Sequence, residues 1–152
     1  MTFDEPVKPD PELEALHGQI AELRSEIAER RQAEELLDRF FNDSLDMLCV
    51  ADFHGYFKRL NPAWERTLGF TVDELRSRPF LDFVHPDDRE ITIAEMANLS
   101  EGSTTISFEN RYRCRDGTYR WLLWNATPLL GKQLIYADAR DITERKLSEQ
   151  SI

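Results

Sequence analysis

Apolar residues near the start of the chain recur at Leu13, Leu16, Ile20, Leu23 and Ile27, and resume at Leu37 and Phe41. This alternation of three and four residues lays a narrow stripe along a helix, the seam by which one helix packs on another of its kind. Arg30 and Glu34 are the polar breaks in the stripe. Glu26 with Arg30, and Glu35 with Arg39, sit one helical turn apart with the acid leading, the orientation that supports a helix surface. The pattern predicts a long coiled-coil helix over residues 12–41 that pairs in parallel with a second copy of the chain. The alternative, an amphipathic helix folded on its own domain, calls for a wider apolar face. The acidic, Pro-containing residues 1–11 have too little apolar surface to fold and are expected to form a disordered lead.

Past Phe41 the period changes. Met47–Ala51 reads as a strand, Asp52–Gly55 as a turn and Tyr56–Leu60 as a second strand. Asn61-Pro62 has the form of an N-cap followed by the first helical residue, opening a short helix through Trp64 and Leu68 that stops at Gly69. Thr71 and Glu74 have capping-box spacing and predict another short helix. Phe80, Leu81, Phe83 and Val84 form an apolar cluster ahead of His85-Pro86-Asp87-Asp88, a further helix start, and that helix is expected to run to about Leu99. Thr104–Cys114, Thr118–Leu130 and Lys132–Ala139, separated by Gly-containing turns, complete five strands. Helices between the second and third strands of an otherwise antiparallel set make this α+β, not βαβ. The stretch Arg120 to Asn125 is apolar at both parities, so both faces of its sheet need cover, one from the short helices and the other from the N-terminal helix or a second protomer.

Charge narrows the range of partners. The net charge is −10, and residues 1–45 carry 12 acids against 5 bases, so the acidity sits mainly at the front. Such a balance repels phosphate and anionic lipid, which disfavours nucleic acid and membrane surfaces and points to protein or small-molecule partners. No apolar run is long enough for a bilayer span, and the acidic start does not resemble a signal peptide, so a cytoplasmic location is expected. Cys49 and Cys114 lack metal-ligand spacing and read as free thiols; His85, Asp87 and Asp88 are explained by helix capping, so no metal is expected. No P-loop, HExxH or Ser-His-Asp pattern occurs, and catalytic residues are not expected.

The motifs taken in order resemble one family. Gly55, Asn61-Pro62-Ala63-Trp64, Leu68-Gly69-Phe70-Thr71 with Glu74-Leu75, His85-Pro86-Asp87-Asp88-Arg89, Phe108-Glu109 with Arg111, Asp116-Gly117 with Arg120-Trp121, and Asp141-Ile142-Thr143-Glu144-Arg145-Lys146 resemble a PAS domain with its PAC segment. The resemblance implies a five-stranded antiparallel sheet with short helices over a ligand cleft, a sensor domain over residues 42–142, and an exit-helix stub over 143–152 leading to an effector of histidine kinase or diguanylate cyclase type. It also implies what is missing: the light-sensing flavin subclass places a reactive cysteine where Arg76–Leu81 has none, and haem-binding members use a histidine on the long helix, absent from Pro86–Leu99. A flavin photoadduct and haem held by that helix are therefore disfavoured, and the cofactor is left open.

Strand alternation and helix face nominate Cys49, Phe57, Trp64, Leu68, Phe80, Phe83, Ile91, Trp121, Leu123 and Tyr136 as pocket walls, with Asn125 as polar anchor. The output is expected at Asp141 and Thr143, with Thr143 as the N-cap of the exit helix and Asp141 tied to backbone or to an arginine such as Arg140 or Arg145. Two functions fit: a homodimeric sensor whose small-molecule ligand alters its flanking helices, or a ligand-free scaffold that only dimerises or binds a protein.

Overall fold

The computed structural model describes Lys8 and residues 10–150; of the lead expected over 1–11, Lys8, Asp10 and Pro11 are described, Pro11 already as the first helical residue, and the rest lies outside the described residues. The chain divides into two units between Phe40 and Phe41. The first is helix α1, Pro11–Asp43, apart from its last three residues. Asp10 starts it, its carboxylate accepting the Glu12 N–H at 3.0 Å, and Glu12 and Glu14 place negative charge in the first turn. Within this chain Leu13, Leu16, Ile20, Leu23, Ile27 and Leu37 are all exposed. Phe41, the last seam position, belongs to the second unit, where it is half-buried with the Arg59 guanidinium 4.1 Å above its ring.

The second unit is built on five antiparallel strands: β1 Met47–Asp52, β2 Phe57–Leu60, β3 Thr105–Arg113, β4 Tyr119–Leu129 and β5 Leu134–Asp141. Their order across the sheet is β2-β1-β5-β4-β3. Between β2 and β3 run α2 Ala63–Leu68, α3 Val72–Arg76, two 3-10 turns at Phe80–Phe83 and Pro86–Asp88, and α4 Arg89–Ser100; α5 Thr143–Gln150 follows β5. The core collects Met47, Cys49 and Ala51 of β1, Leu122, Trp124 and Ala126 of β4, and Ile135 and Ala139 of β5 with Trp64, Leu68, Leu75, Phe80, Phe83 and Leu99 from the connecting helices and turns. Trp64 is its centre, fully buried and within 6 Å of the rings of Phe57, Tyr112 and Trp124. Offset aromatic packing of this kind adds about 0.5–1.5 kcal/mol per pair beyond area burial.

Two local signals turn out to have different roles from those expected. Asn61 is not the side-chain cap of α2. Its amide instead donates to the carbonyls of Phe41 and Asp46 while its Oδ1 accepts the Leu48 N–H, all within 3.0 Å, fastening the segment that leads into β1. A fully buried amide with three partners costs nothing in unmade bonds and fixes one backbone path. Pro86 opens a 3-10 turn, and α4 proper begins at Arg89. His85 caps that turn through Nδ1, which accepts the Asp87 N–H at 3.1 Å. Its neighbours also close the sheet edge: the His85 N–H donates to the Arg111 carbonyl at 2.8 Å, and the Asp88 carboxylate accepts the Arg111 N–H at 2.8 Å. Unpaired groups of an edge strand are thereby covered. The Thr71 capping box forms as expected, Thr71 Oγ1 accepting the Glu74 N–H at 3.1 Å. Gly69 ends α2 at φ 85°, where an added Cβ would also press on Arg115 Cβ at 3.3 Å.

Candidate functional site

Between the inner face of the sheet and α4 lies a cavity of about 60 Å³. The sheet contributes Cys49, Ala51, Phe57, Phe108, Tyr112, Trp124, Ala126, Ile135 and Ala137, and the helical side contributes Phe80, Thr92, Glu95, Met96 and Leu99. Thr105 and Asn110 complete the wall. Polar groups around the cavity are engaged with one another. The Trp124 indole N–H donates to Asn110 Oδ1 at 2.7 Å, the Asn110 amide donates to Thr92 Oγ1 at 3.2 Å, and the Thr92 hydroxyl donates to the Asp88 carbonyl at 2.7 Å. Thr105 likewise donates to Glu95 at 2.9 Å. Among the described residues no buried side-chain nitrogen or oxygen lacks a partner. The surface facing the space is almost wholly carbon and sulfur. Burial pushes the Cys49 thiol well up, with Asp138 adding to the effect, so this sulfur is an inert wall element and not a nucleophile.

Of the residues nominated from sequence, Cys49, Phe57 and Phe80 line the cavity. Trp64, Leu68 and Phe83 are buried in the same core but do not reach it; Trp64 backs the wall by packing on Phe57 at 5.0 Å and Trp124 at 5.6 Å. The other five are placed elsewhere. Trp121, Leu123 and Asn125 point to the opposite face of β4, since Leu122, Trp124 and Ala126 are the buried parity. Asn125, placed away from this cavity, accepts the Ser107 N–H at 3.1 Å and holds the β3 bulge at which Ser107 takes φ 54°. Tyr136 and Ile91 are exposed, with Ile135 and Ala137 of β5 and Thr92 of α4 facing in instead. The wall residues missed were polar ones, Thr92, Glu95, Thr105 and Asn110, small ones, Ala51, Ala126 and Ala137, and the larger Met96, Leu99, Phe108, Tyr112, Trp124 and Ile135.

The outer face of β4 leads to the end of the chain. The Arg111 guanidinium holds Asp88 in two contacts at 2.9 and 2.7 Å and lies 5.0 Å from the Trp121 ring. Those Arg111 bonds keep the Asp88 carboxyl below the usual carboxylate range against the opposing effect of burial. The Lys146 ammonium of α5 lies 4.8 Å from the same ring and 2.6 Å from Glu109. Asp141 accepts the Thr143 N–H at 2.9 Å, and Thr143 Oγ1 accepts the Trp121 N–H at 2.9 Å. Thr143 is thus the first residue of α5 and not its cap; the carboxylate that takes its N–H is Asp141. The arginine beside Asp141 is Arg120, at 3.5 Å, while Arg140 pairs with Asp46 and Arg145 with Glu109. Thr92, Asp88, Arg111, Trp121 and Lys146 form a continuous set of contacts from the cavity wall to α5. No helix among the described residues is long and apolar enough to cross a membrane.

Comparison with known proteins agrees with this architecture. The chain is 29% identical over 136 residues to the probable diguanylate cyclase DgcE of Escherichia coli (strain K12), covering 81% of this chain and 12% of that protein's length. The PAS domain of an HTR-like protein from Haloarcula marismortui superposes with a TM-score of 0.65 at 24% identity, over 78% of this chain and 99% of that one. The Cronobacter turicensis RpfR quorum-sensing receptor PAS domain, in complex with C12:0, superposes with a TM-score of 0.57 at 20% identity, over 66% of this chain and 96% of that one. The family model described as the PAS fold matches residues 57–134, from β2 to the start of β5 and just over half of the chain. With that match and this topology, the chain belongs to the PAS-fold family.

Proposed function

We propose that this chain is the sensory input module of a signal-transduction protein, that it takes a small apolar ligand in the cavity under α4, and that it works as a homodimer through α1. The observation that carries the ligand class is the wall: Trp124, Asn110, Thr92 and Thr105 spend their polar groups on protein partners, and the surface left facing the space is almost wholly apolar, so a charged ligand gains little there. A cavity of about 60 Å³ is well below the several hundred Å³ of a drug-sized site. The occupant is a compact hydrocarbon-like group, with room gained by movement of Met96 and half-buried Phe108. The C12:0 complex of the similarly folded RpfR domain supports an apolar over a polar ligand. Occupancy would displace α4, and the contacts from Asp88 through Arg111 and Trp121 to Lys146 would carry that displacement to α5 and on to an effector. Regulatory rather than catalytic work suits a site whose exposed lining is almost wholly apolar, and the diguanylate cyclase similarity supports an effector of that kind.

The test is a benzene titration of the full chain, followed by NMR at the Trp124 indole N–H and the Ala126 methyl. Saturable shifts at both are expected, with no response to a polar probe of equal size such as urea. Unmoved inner-face signals up to the solubility limit of benzene would overturn the ligand reading. They would favour the second reading, a closed-core dimerisation scaffold, which the small cavity volume itself recommends.

A further inference from the structure

The cavity under α4 is not equally closed on all sides. Its half-buried lining residues are Glu95, Met96, Phe108 and Ala137, and the rest of its wall is buried. Ala137 lies on β5, the central strand, whereas Glu95 and Met96 lie on α4 and Phe108 on the edge strand β3. The mouth of the cavity is therefore between α4 and β3. Strand β3 is irregular at this point: its pairing with β4 shifts between Thr105 and Phe108, and Ser107 takes φ 54°. Across the mouth the Thr105 hydroxyl donates to Glu95 Oε2 at 2.9 Å. The second oxygen of that carboxylate, Oε1, has no protein partner among the described residues.

We propose that the ligand of this cavity is an apolar amine, its hydrocarbon body inside and its ammonium head at the mouth on Glu95. The inference rests on the ligand reading above and names the ligand's polar end. A space of about 60 Å³ takes a compact hydrocarbon group and little more, so a polar head is left at the mouth. Inside, a charge gains little; at the mouth the sign of the head decides. No lysine, arginine or histidine lines the cavity, and Glu95 is its one acid. The other ionisable wall groups, Cys49 and Tyr112, are held neutral by burial. Arg89, the one base of α4, is spent on the Val84 carbonyl at 3.2 Å. A carboxylate or phosphate head would thus meet a like charge and no free donor. An ammonium head donates to the free Glu95 oxygen, and a bond between two ions is stronger than one between neutral groups.

Toluene, benzylamine and benzoate share one body and differ in the head, so titrating each into the full chain at neutral pH separates head from body. The Trp124 indole N–H reports the body and the Glu95 amide the head, both by NMR. Toluene should give saturable shifts at Trp124, and benzylamine should bind about tenfold more tightly than benzoate. Glu95→Gln keeps an acceptor for the Thr105 hydroxyl and removes the charge; the preference should fall to about twofold or less. The parental comparison stands whether or not that variant folds. If none of the three probes moves Trp124, the ligand reading itself falls and takes this inference with it. If toluene binds and benzoate equals or exceeds benzylamine, only the amine head is overturned. A preference for benzylamine that survives undiminished in Glu95→Gln would overturn Glu95 as the group that receives it.

Discussion

The two faces of β4 are built from similar residues and do different things. On the inner face Leu122, Trp124 and Ala126 are buried, the Trp124 indole is bonded to Asn110, and the neighbouring polar groups are satisfied internally. On the outer face Trp121 is only half-buried, and its cover is ionic: Arg111 from the next strand and Lys146 from α5. A closed inner face resists change except by what enters it. An outer face held by long charged side chains can shift by small amounts at little cost, because such contacts are individually weak. One strand thus separates a stiff, closed side from a compliant one, and in the proposed function the first receives and the second reports.

The contrast is sharpest in stability. Trp124→Ala should cost about 3–5 kcal/mol, since it removes a buried ring and strands the Asn110 carbonyl, and chemical denaturation will read it. A loss below 1 kcal/mol would mean that the inner face is not close-packed. Next in size is Asp88→Ala, which removes the acceptor of three Arg111 bonds at the sheet edge; a loss of about 1.5–3 kcal/mol is expected. The same pair has a pH signature. Because the folded carboxyl titrates below its unfolded range, its stabilisation is fully present above that range and is lost as the pH falls through the folded value. The parental chain should therefore lose stability on acidification below about pH 4 more steeply than Asp88→Asn, a difference visible in melting temperature against pH. Parallel curves would show that Asp88 does not anchor the edge. Smallest is Trp121→Ala, at about 0.5–1 kcal/mol. Its larger effect should appear in amide exchange of α5, where the loss of the Lys146 contact frees the helix.

The same contrast explains what could be read from the sequence. Helix and strand order, the Thr71 capping box and the exposed seam of α1 follow from local spacing and were legible. The facing of β4 was not, because Trp121 and Leu123 are as apolar as Leu122 and Trp124. The available signal was further along: Asn125 and Thr127 share the parity of Trp121, while the other parity continues with Ala126 and Pro128. Taking Asn125 for a ligand anchor turned that signal around. On β5 the polar parity of Asp138 and Arg140 includes Tyr136, which marks it as outward. On α4 the inner stripe is Thr92, Glu95, Met96 and Leu99, two of them polar, so an apolar-face rule selects exposed Ile91 instead. The polar residues turn inward because Thr92 bonds to Asn110 and Glu95 to Thr105, partners that only the fold brings near.

The central claim, that the inner face receives and the outer face reports, is tested most directly by following the Thr143 amide during the benzene titration of the full chain. That amide is held by Asp141, and the hydroxyl of the same residue accepts the Trp121 N–H, so it sits where strand and exit helix meet. The account predicts a saturable Thr143 shift with the same midpoint as the Trp124 indole signal; saturation at Trp124 with Thr143 unmoved would contradict it.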